Sequence, residues 1–73
     1  MESNFNFKNF SIVIPIFNEE EILEESTNAI FSLCKRMEID FEIIFSENGS
    51  TDKTKAIAEE LTNKYPEIKI ISN

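Results

Sequence analysis

Three short apolar runs separated by two amphipathic stretches organise this chain. Phe10-Ser11-Ile12-Val13-Ile14-Pro15-Ile16-Phe17, Phe41-Glu42-Ile43-Ile44-Phe45 and Ile68-Lys69-Ile70-Ile71 are apolar at neighbouring positions, not only at alternate ones. Such runs belong to strands covered on both faces, the pattern of a parallel sheet. Strands are expected over 10–17, 41–47 and 67–72. Between the first two, Ile22, Ile30, Leu33 and Met37 follow helical spacing, with Leu23 and Cys34 beside them. Between the second and third, Ile57, Ala58, Leu61 and Tyr65 share one helical face. Helices are expected over 19–37 and 52–64, the second stopped by Pro66.

Boundary signals refine this outline. Asn18 followed three residues later by Glu21 has the form of a capping box, with Asn18 as the N-cap. Glu19, Glu20 and Glu21 would then fill the first helical turn, and Lys35 and Arg36 the last, both matching the helix dipole. Pro15 lacks an N–H, so hydrogen bonding is expected to falter near the end of the first strand. Asn48-Gly49 is a turn on the chain's single glycine, and Ser50, Thr51 and Asp52 are placed to cap the second helix.

The order is βαβαβ. Right-handed crossovers then give one parallel sheet in the order 3-2-1, with both helices on the same face. The first strand is apolar on both faces yet falls at an edge, where exposed hydrophobic strands invite association. Either Phe5 and Phe7 of a loose or extended lead-in, residues 1–9, cover it, or a fourth strand of a larger domain does. The unfinished sheet favours the second. Self-association through the open edge is expected of the chain on its own.

Composition narrows the chemistry. A chain of 73 residues allows one domain at most, and at ~60 residues a domain buries only about 60% of its unfolded surface. There is one cysteine, Cys34, and no histidine. Disulfide frameworks, Ser-His-Asp and Cys-His pairs and zinc sites are thereby excluded; only oxygen ligands remain, suited to Mg²⁺, Mn²⁺ or Ca²⁺. The net charge of −7 argues against nucleic acid and against an anionic ligand unless a divalent ion accompanies it. One glycine cannot make a Gly-x-Gly-x-x-Gly or P-loop sequence. The start, Met1-Glu2-Ser3-Asn4-Phe5-Asn6-Phe7, lacks a signal-peptide pattern, and Ile12 to Phe17 is too short to span a bilayer. A soluble, cytoplasmic chain is the expectation.

The first two strands both end in oxygen-bearing side chains: Asn18-Glu19-Glu20-Glu21 after the first, Ser46-Glu47-Asn48-Gly49-Ser50-Thr51-Asp52 at the second. In an open α/β sheet this carboxyl edge is where ligands bind. The blocks Ser11-Ile12-Val13-Ile14-Pro15-Ile16-Phe17-Asn18-Glu19-Glu20 and Glu42-Ile43-Ile44-Phe45-Ser46-Glu47-Asn48-Gly49-Ser50-Thr51-Asp52-Lys53-Thr54 resemble the start of a family 2 glycosyltransferase. That family opens with a strand ending Pro-x-Tyr/Phe-Asn-Glu, followed about thirty residues later by one ending Asp-Asp-Gly-Ser-x-Asp. The resemblance implies an α/β, Rossmann-like fragment: residues 10–73 as the incomplete N-terminal nucleotide-sugar-binding portion of a GT-A domain. It implies transfer of a sugar from a UDP- or GDP-sugar donor to a saccharide or lipid-linked acceptor, with Mg²⁺ or Mn²⁺ bridging the diphosphate through an Asp-x-Asp motif after a fourth strand. By matching position, Pro15, Phe17, Glu19, Glu47 and Asn48 would line the base and ribose pocket. No catalytic residue and no metal ligand is assigned here, so the chain by itself is expected to be inactive. Any membrane contact would come through other regions, at the cytoplasmic face.

Glu47 and Asn48 depart from the usual pair of aspartates, which leaves the donor base open. Duller roles stand beside these. Asn18 is also a helix cap, Glu19 to Glu21 a solvated dipole-matched turn, and Asn48-Gly49 a plain turn. Cys34 is core, and Tyr65 packs against the third strand. A rival from another class is a non-catalytic α/β interaction module, or a decayed gene product, that pairs through its open sheet edge.

Overall fold

A computed structural model describes residues 10–72; the lead-in over 1–9 and the proposed cover by Phe5 and Phe7 lie outside the described residues. The elements are β1 (Phe10–Ile16), α1 (Leu23–Arg36), β2 (Phe41–Glu47), α2 (Thr54–Lys64) and β3 (Ile68–Ser72). All three strands are parallel, in the order β1-β2-β3, which is the expected 3-2-1 arrangement. The result is an α/β Rossmann-like fragment of the kind a GT-A domain begins with.

Register puts Ile12, Ile14 and Ile16 beside Ile43, Phe45 and Glu47, and Ile43 and Phe45 beside Ile68 and Ile70. This face packs against Leu23, Ile30 and Phe31 of α1 and Ile57, Ala58 and Leu61 of α2. Both helices therefore cover one side of the sheet, as right-handed crossovers require. Ile16, Ile43 and Phe45 are fully buried, each contributing about 1.5–3 kcal/mol of hydrophobic stabilisation. The other side carries Val13, Ile44 and Ile71; Val13 is 58% exposed. No described element covers it.

Pro15 does not interrupt the β1–β2 ladder, contrary to the expectation. Phe10 N–H donates to Asp40 O at one end, and Ile16 O accepts from Asn48 N–H at the other. In a parallel pair alternate residues turn their N–H and C=O to the same neighbour. Phe10, Ile12, Ile14 and Ile16 thus bond to β2, while Ser11, Val13 and Pro15 face the free edge. The missing N–H of Pro15 points outward, where β2 does not need it.

α1 begins four residues later than expected and buries a different stripe. Leu23, Thr27 and Cys34 are buried, with Ile30 and Phe31 packed against the core; Ile22, Leu33 and Met37 are exposed. Positions 23, 27, 30, 31 and 34 form one helical face, on which Thr27 is as buried as its apolar neighbours. Glu24 and Glu25 occupy the first turn in place of Glu19 to Glu21, while Lys35 and Arg36 close the last as expected. The helix stops in a Schellman arrangement. Glu38 N–H donates to Lys35 O at 3.1 Å and Ile39 N–H to Cys34 O at 3.5 Å, with Glu38 in the left-handed region at φ 56°. Tyr65 stacks on Phe31 of α1, ring centroids 4.3 Å apart, and packs against the core cluster that includes Ile68 of β3.

Candidate functional site

β1 and β2 finish level with one another. Ile16 pairs with Glu47, and Asn48 N–H donates to Ile16 O at 3.2 Å. Two loops leave from this edge, residues 17–22 and 48–53, and a ladder of hydrogen bonds holds them side by side. Asn18 N–H donates to Ser50 Oγ at 3.0 Å, and Asn18 Oδ1 accepts from Thr51 N–H at 2.8 Å. Glu19 N–H donates to Thr54 Oγ1 at 2.6 Å. Glu20 Oε1 accepts from Lys53 N–H at 2.8 Å. Backbone groups that a helix cap or water would otherwise serve are satisfied here from the neighbouring loop.

Asn18 is therefore not the cap of α1. It adopts φ 50°, a left-handed conformation asparagine tolerates better than most residues, and its oxygen serves the second loop. The N-cap is Ile22, without a side-chain bond. The carbonyl of Glu19 accepts from Ile22 and Leu23 N–H instead, so the chain makes a turn before the helix begins. Ser50 and Thr51 likewise fasten the loops together and do not cap α2. Only Asp52 does what was expected of it: its Oδ1 accepts from Thr54 N–H at 2.8 Å, at the first residue of α2.

Glu47 folds into its own turn. Oε1 accepts from Gly49 N–H at 3.0 Å and Oε2 from Ser50 N–H at 2.7 Å. Gly49 at φ 80° supplies the left-handed step that brings both N–H groups round to the carboxylate. The side chain is buried, 4% exposed. The Ser50 hydroxyl, then the Ser50 N–H, hold the Glu47 carboxyl below the usual range against the opposing effect of burial; Gly49 N–H and Lys55 add to this. For Asp52, burial acts upward but is outweighed by the Thr54 hydroxyl and N–H and the Glu20 N–H, so its carboxyl also lies low.

The structure brings the backbone of Pro15, Phe17, Glu19, Glu47 and Asn48 to one edge, but not their side chains to one face. Pro15 pairs with Ser46, so it stands on the uncovered side of the sheet, whereas Glu47 stands on the helix side. Pro15, Phe17 and Asn48 are exposed, Glu19 is half-buried and Glu47 is buried. A hollow of about 270 Å³ opens beside the loops, bordered by Asn18, Glu19, Glu20, Glu21, Ile22 and Asp52. A larger one, about 360 Å³, lies at the opposite end of the sheet around Phe10, Lys35 and Glu67, away from the strand ends. Among the described residues no group of three or more acidic or cysteine side chains converges to hold a metal. No helix among them is long and apolar enough to cross a membrane.

The two strand-end blocks and the parallel sheet between them fall within one match: the model of the family described as Glycosyl transferase family 2 fits residues 11–73. The chain belongs to glycosyl transferase family 2.

Similar curated proteins come from distant organisms. The undecaprenyl-phosphate 4-deoxy-4-formamido-L-arabinose transferase of Proteus mirabilis is 38% identical over 53 residues, 73% of this chain and 16% of that protein. Glycosyltransferase AglE of Haloferax volcanii is 33% identical over 61 residues, 84% of this chain and 20% of its own length. The minor teichoic acid biosynthesis protein GgaA of Bacillus subtilis is 36% identical over 57 residues, 78% of this chain and 13% of its own. This family 2 chain thus spans a fifth or less of these relatives. Sequence reasoning missed the residues that fasten the loops: Glu20, Ser50, Thr51 and Thr54. The signal available was the density of hydroxyl side chains just after the only glycine.

Proposed function

We propose that residues 10–73 form the nucleoside end of the donor site of a glycosyltransferase, which moves a sugar from a nucleotide-diphosphate donor to an acceptor. The observation that carries this reading is the level ending of β1 and β2, with their two loops fastened together by Asn18, Glu19 and Glu20. That arrangement gives a rigid polar rim at the carboxyl edge of a parallel sheet, where α/β folds take their ligands. Pro15 and Phe17 offer apolar surface to a base. The Asn48 amide can both donate to and accept from a base edge, and the Glu19 carboxylate can accept from ribose hydroxyls. Glu47 belongs to the same edge through the turn it makes.

With a net charge of −7, phosphates are repelled unless Mg²⁺ or Mn²⁺ screens them. Ligands for that ion come from outside these residues. The name of the Proteus relative specifies undecaprenyl phosphate, which supports a lipid-linked acceptor; the intact protein would then act at a membrane, in our reading at its cytoplasmic face. Calorimetric titration of the intact protein with UDP and GDP, with and without Mg²⁺, tests the donor site. Ion-dependent binding of either nucleotide supports it; binding of neither overturns it.

A further inference from the structure

Resting on the donor site proposed above, we propose that Glu47 is a positioning residue: it sets the second loop, and through it the first, and does not touch the nucleotide.

Three observations lead there. Both carboxylate oxygens are occupied, one by Gly49 N–H and the other by Ser50 N–H. The side chain is buried on the helix side of the sheet, opposite Ile16, while exposed Pro15 and its neighbour Ser46 stand on the other side. Finally, the groups it holds are the ones that hold the first loop. Ser50, fixed through its N–H by Glu47, presents its hydroxyl to Asn18 N–H, and Thr51, the next residue, donates its N–H to Asn18 Oδ1. Asn18 lies between Phe17 and Glu19. A bond made inside one turn therefore sets the placement of two residues on the other strand end. A carboxylate suits the task because it accepts two N–H groups and offers no donor that would oppose them. A glutamine has one acceptor oxygen, and its NH₂ would face an N–H.

The test uses Glu47→Gln and Glu47→Asp in the intact protein, with UDP and GDP in the presence of Mg²⁺ as probes. Amide exchange without nucleotide should quicken in Glu47→Gln at Gly49 and Ser50 and also at Thr51 and Asn18. The dissociation constant for whichever nucleotide binds should rise about tenfold, because only the fraction of molecules with both loops in place is competent to bind. Glu47→Asp keeps both acceptor oxygens and should restore most of each. The discriminating measurement is the Glu47 side-chain carboxyl ¹³C signal of the parent protein, which should stay in place at nucleotide saturation. A carboxyl signal that moves with nucleotide, or exchange at the four amides unchanged in Glu47→Gln, overturns the assignment. If neither nucleotide binds the parent, the donor-site reading fails by itself. The exchange result then still decides whether Glu47 holds the two loops.

Discussion

Asn18 Oδ1 accepts the N–H of Thr51 at 2.8 Å across 33 positions of sequence, and this bond ties the end of β1 to the turn after β2. Asn18 does so from φ 50°, so side chain and backbone are both committed. Asn18→Gly should keep the conformation but lose the acceptor, and Asn18→Ala should lose the acceptor and strain the backbone as well. Urea unfolding should show a loss of about 1 kcal/mol for the glycine variant, as for one ordinary hydrogen bond. The alanine variant should lose a further ~1 kcal/mol or more from the left-handed backbone. Equal stability of the two would rule out strain at this residue.

Thr54 is fully buried, and its Oγ1 accepts the Glu19 N–H. Thr54→Val preserves shape and removes the acceptor, leaving a part-buried N–H unpaired. The expected cost is about 1–3 kcal/mol, measured by denaturant unfolding, while Thr54→Ser, which retains the hydroxyl, should lose less. A valine variant as stable as the parent would show that this bond adds nothing net to stability.

Acid should unfold the protein through its loop carboxylates. Glu47 and Asp52 both titrate below their usual range in the folded state. Between the folded and unfolded values the unfolded chain binds more protons, so stability rises with pH there. The contribution is complete above the ordinary carboxylate range and is lost as pH falls through the lowered folded values. Glu47→Gln should flatten this acid limb, as followed by circular dichroism of thermal unfolding at a series of pH values. An acid limb of unchanged slope would remove Glu47 as a source.

Glu38 ends α1 in a left-handed conformation without being glycine. Glu38→Gly should relieve that strain and stabilise the protein by about 0.5–1 kcal/mol, glycine being the residue helices favour at this position. A lower midpoint in thermal unfolding would contradict it.

Glu19 is a clean probe of the proposed donor site because its N–H is held by the Thr54 hydroxyl and its C=O by the Ile22 and Leu23 N–H groups, leaving its carboxylate out of the frame. Glu19→Ala leaves that frame in place and removes only the carboxylate. The nucleotide dissociation constant should rise about tenfold or more if one charge-assisted bond is lost. Unchanged affinity in calorimetry would take Glu19 out of the pocket.

The strands, their order and the shared helix face were readable because apolar runs and crossover handedness are local or general properties. The start of α1 was not. Asn18 with Glu21 satisfies the local capping rule, but the stronger competitor for its oxygen, Thr51 N–H, belongs to another loop and leaves no trace in the neighbouring sequence. The buried stripe of α1 was misread for a similar reason. Ile22, Leu33 and Met37 repeat at helical spacing and are exposed, while Thr27 is polar by type and buried. At the site, residue type marked the right edge. It did not show that Glu47 turns back on Gly49 and Ser50, since a carboxylate looks the same in sequence whether it faces a ligand or its own turn.

The outward-facing imide of Pro15 has a consequence for any strand that docks beside β1. Such a neighbour finds N–H donors at Ser11 and Val13 but none at Pro15, so its ladder is a rung short just before the strand ends. It can zip along the first part of β1 and is then free to splay away. A strand docked there would part from β1 at its carboxyl end, beside Pro15 and Phe17. A single ring closure in the chain would thus separate adhesion at one end of such a seam from access at the other.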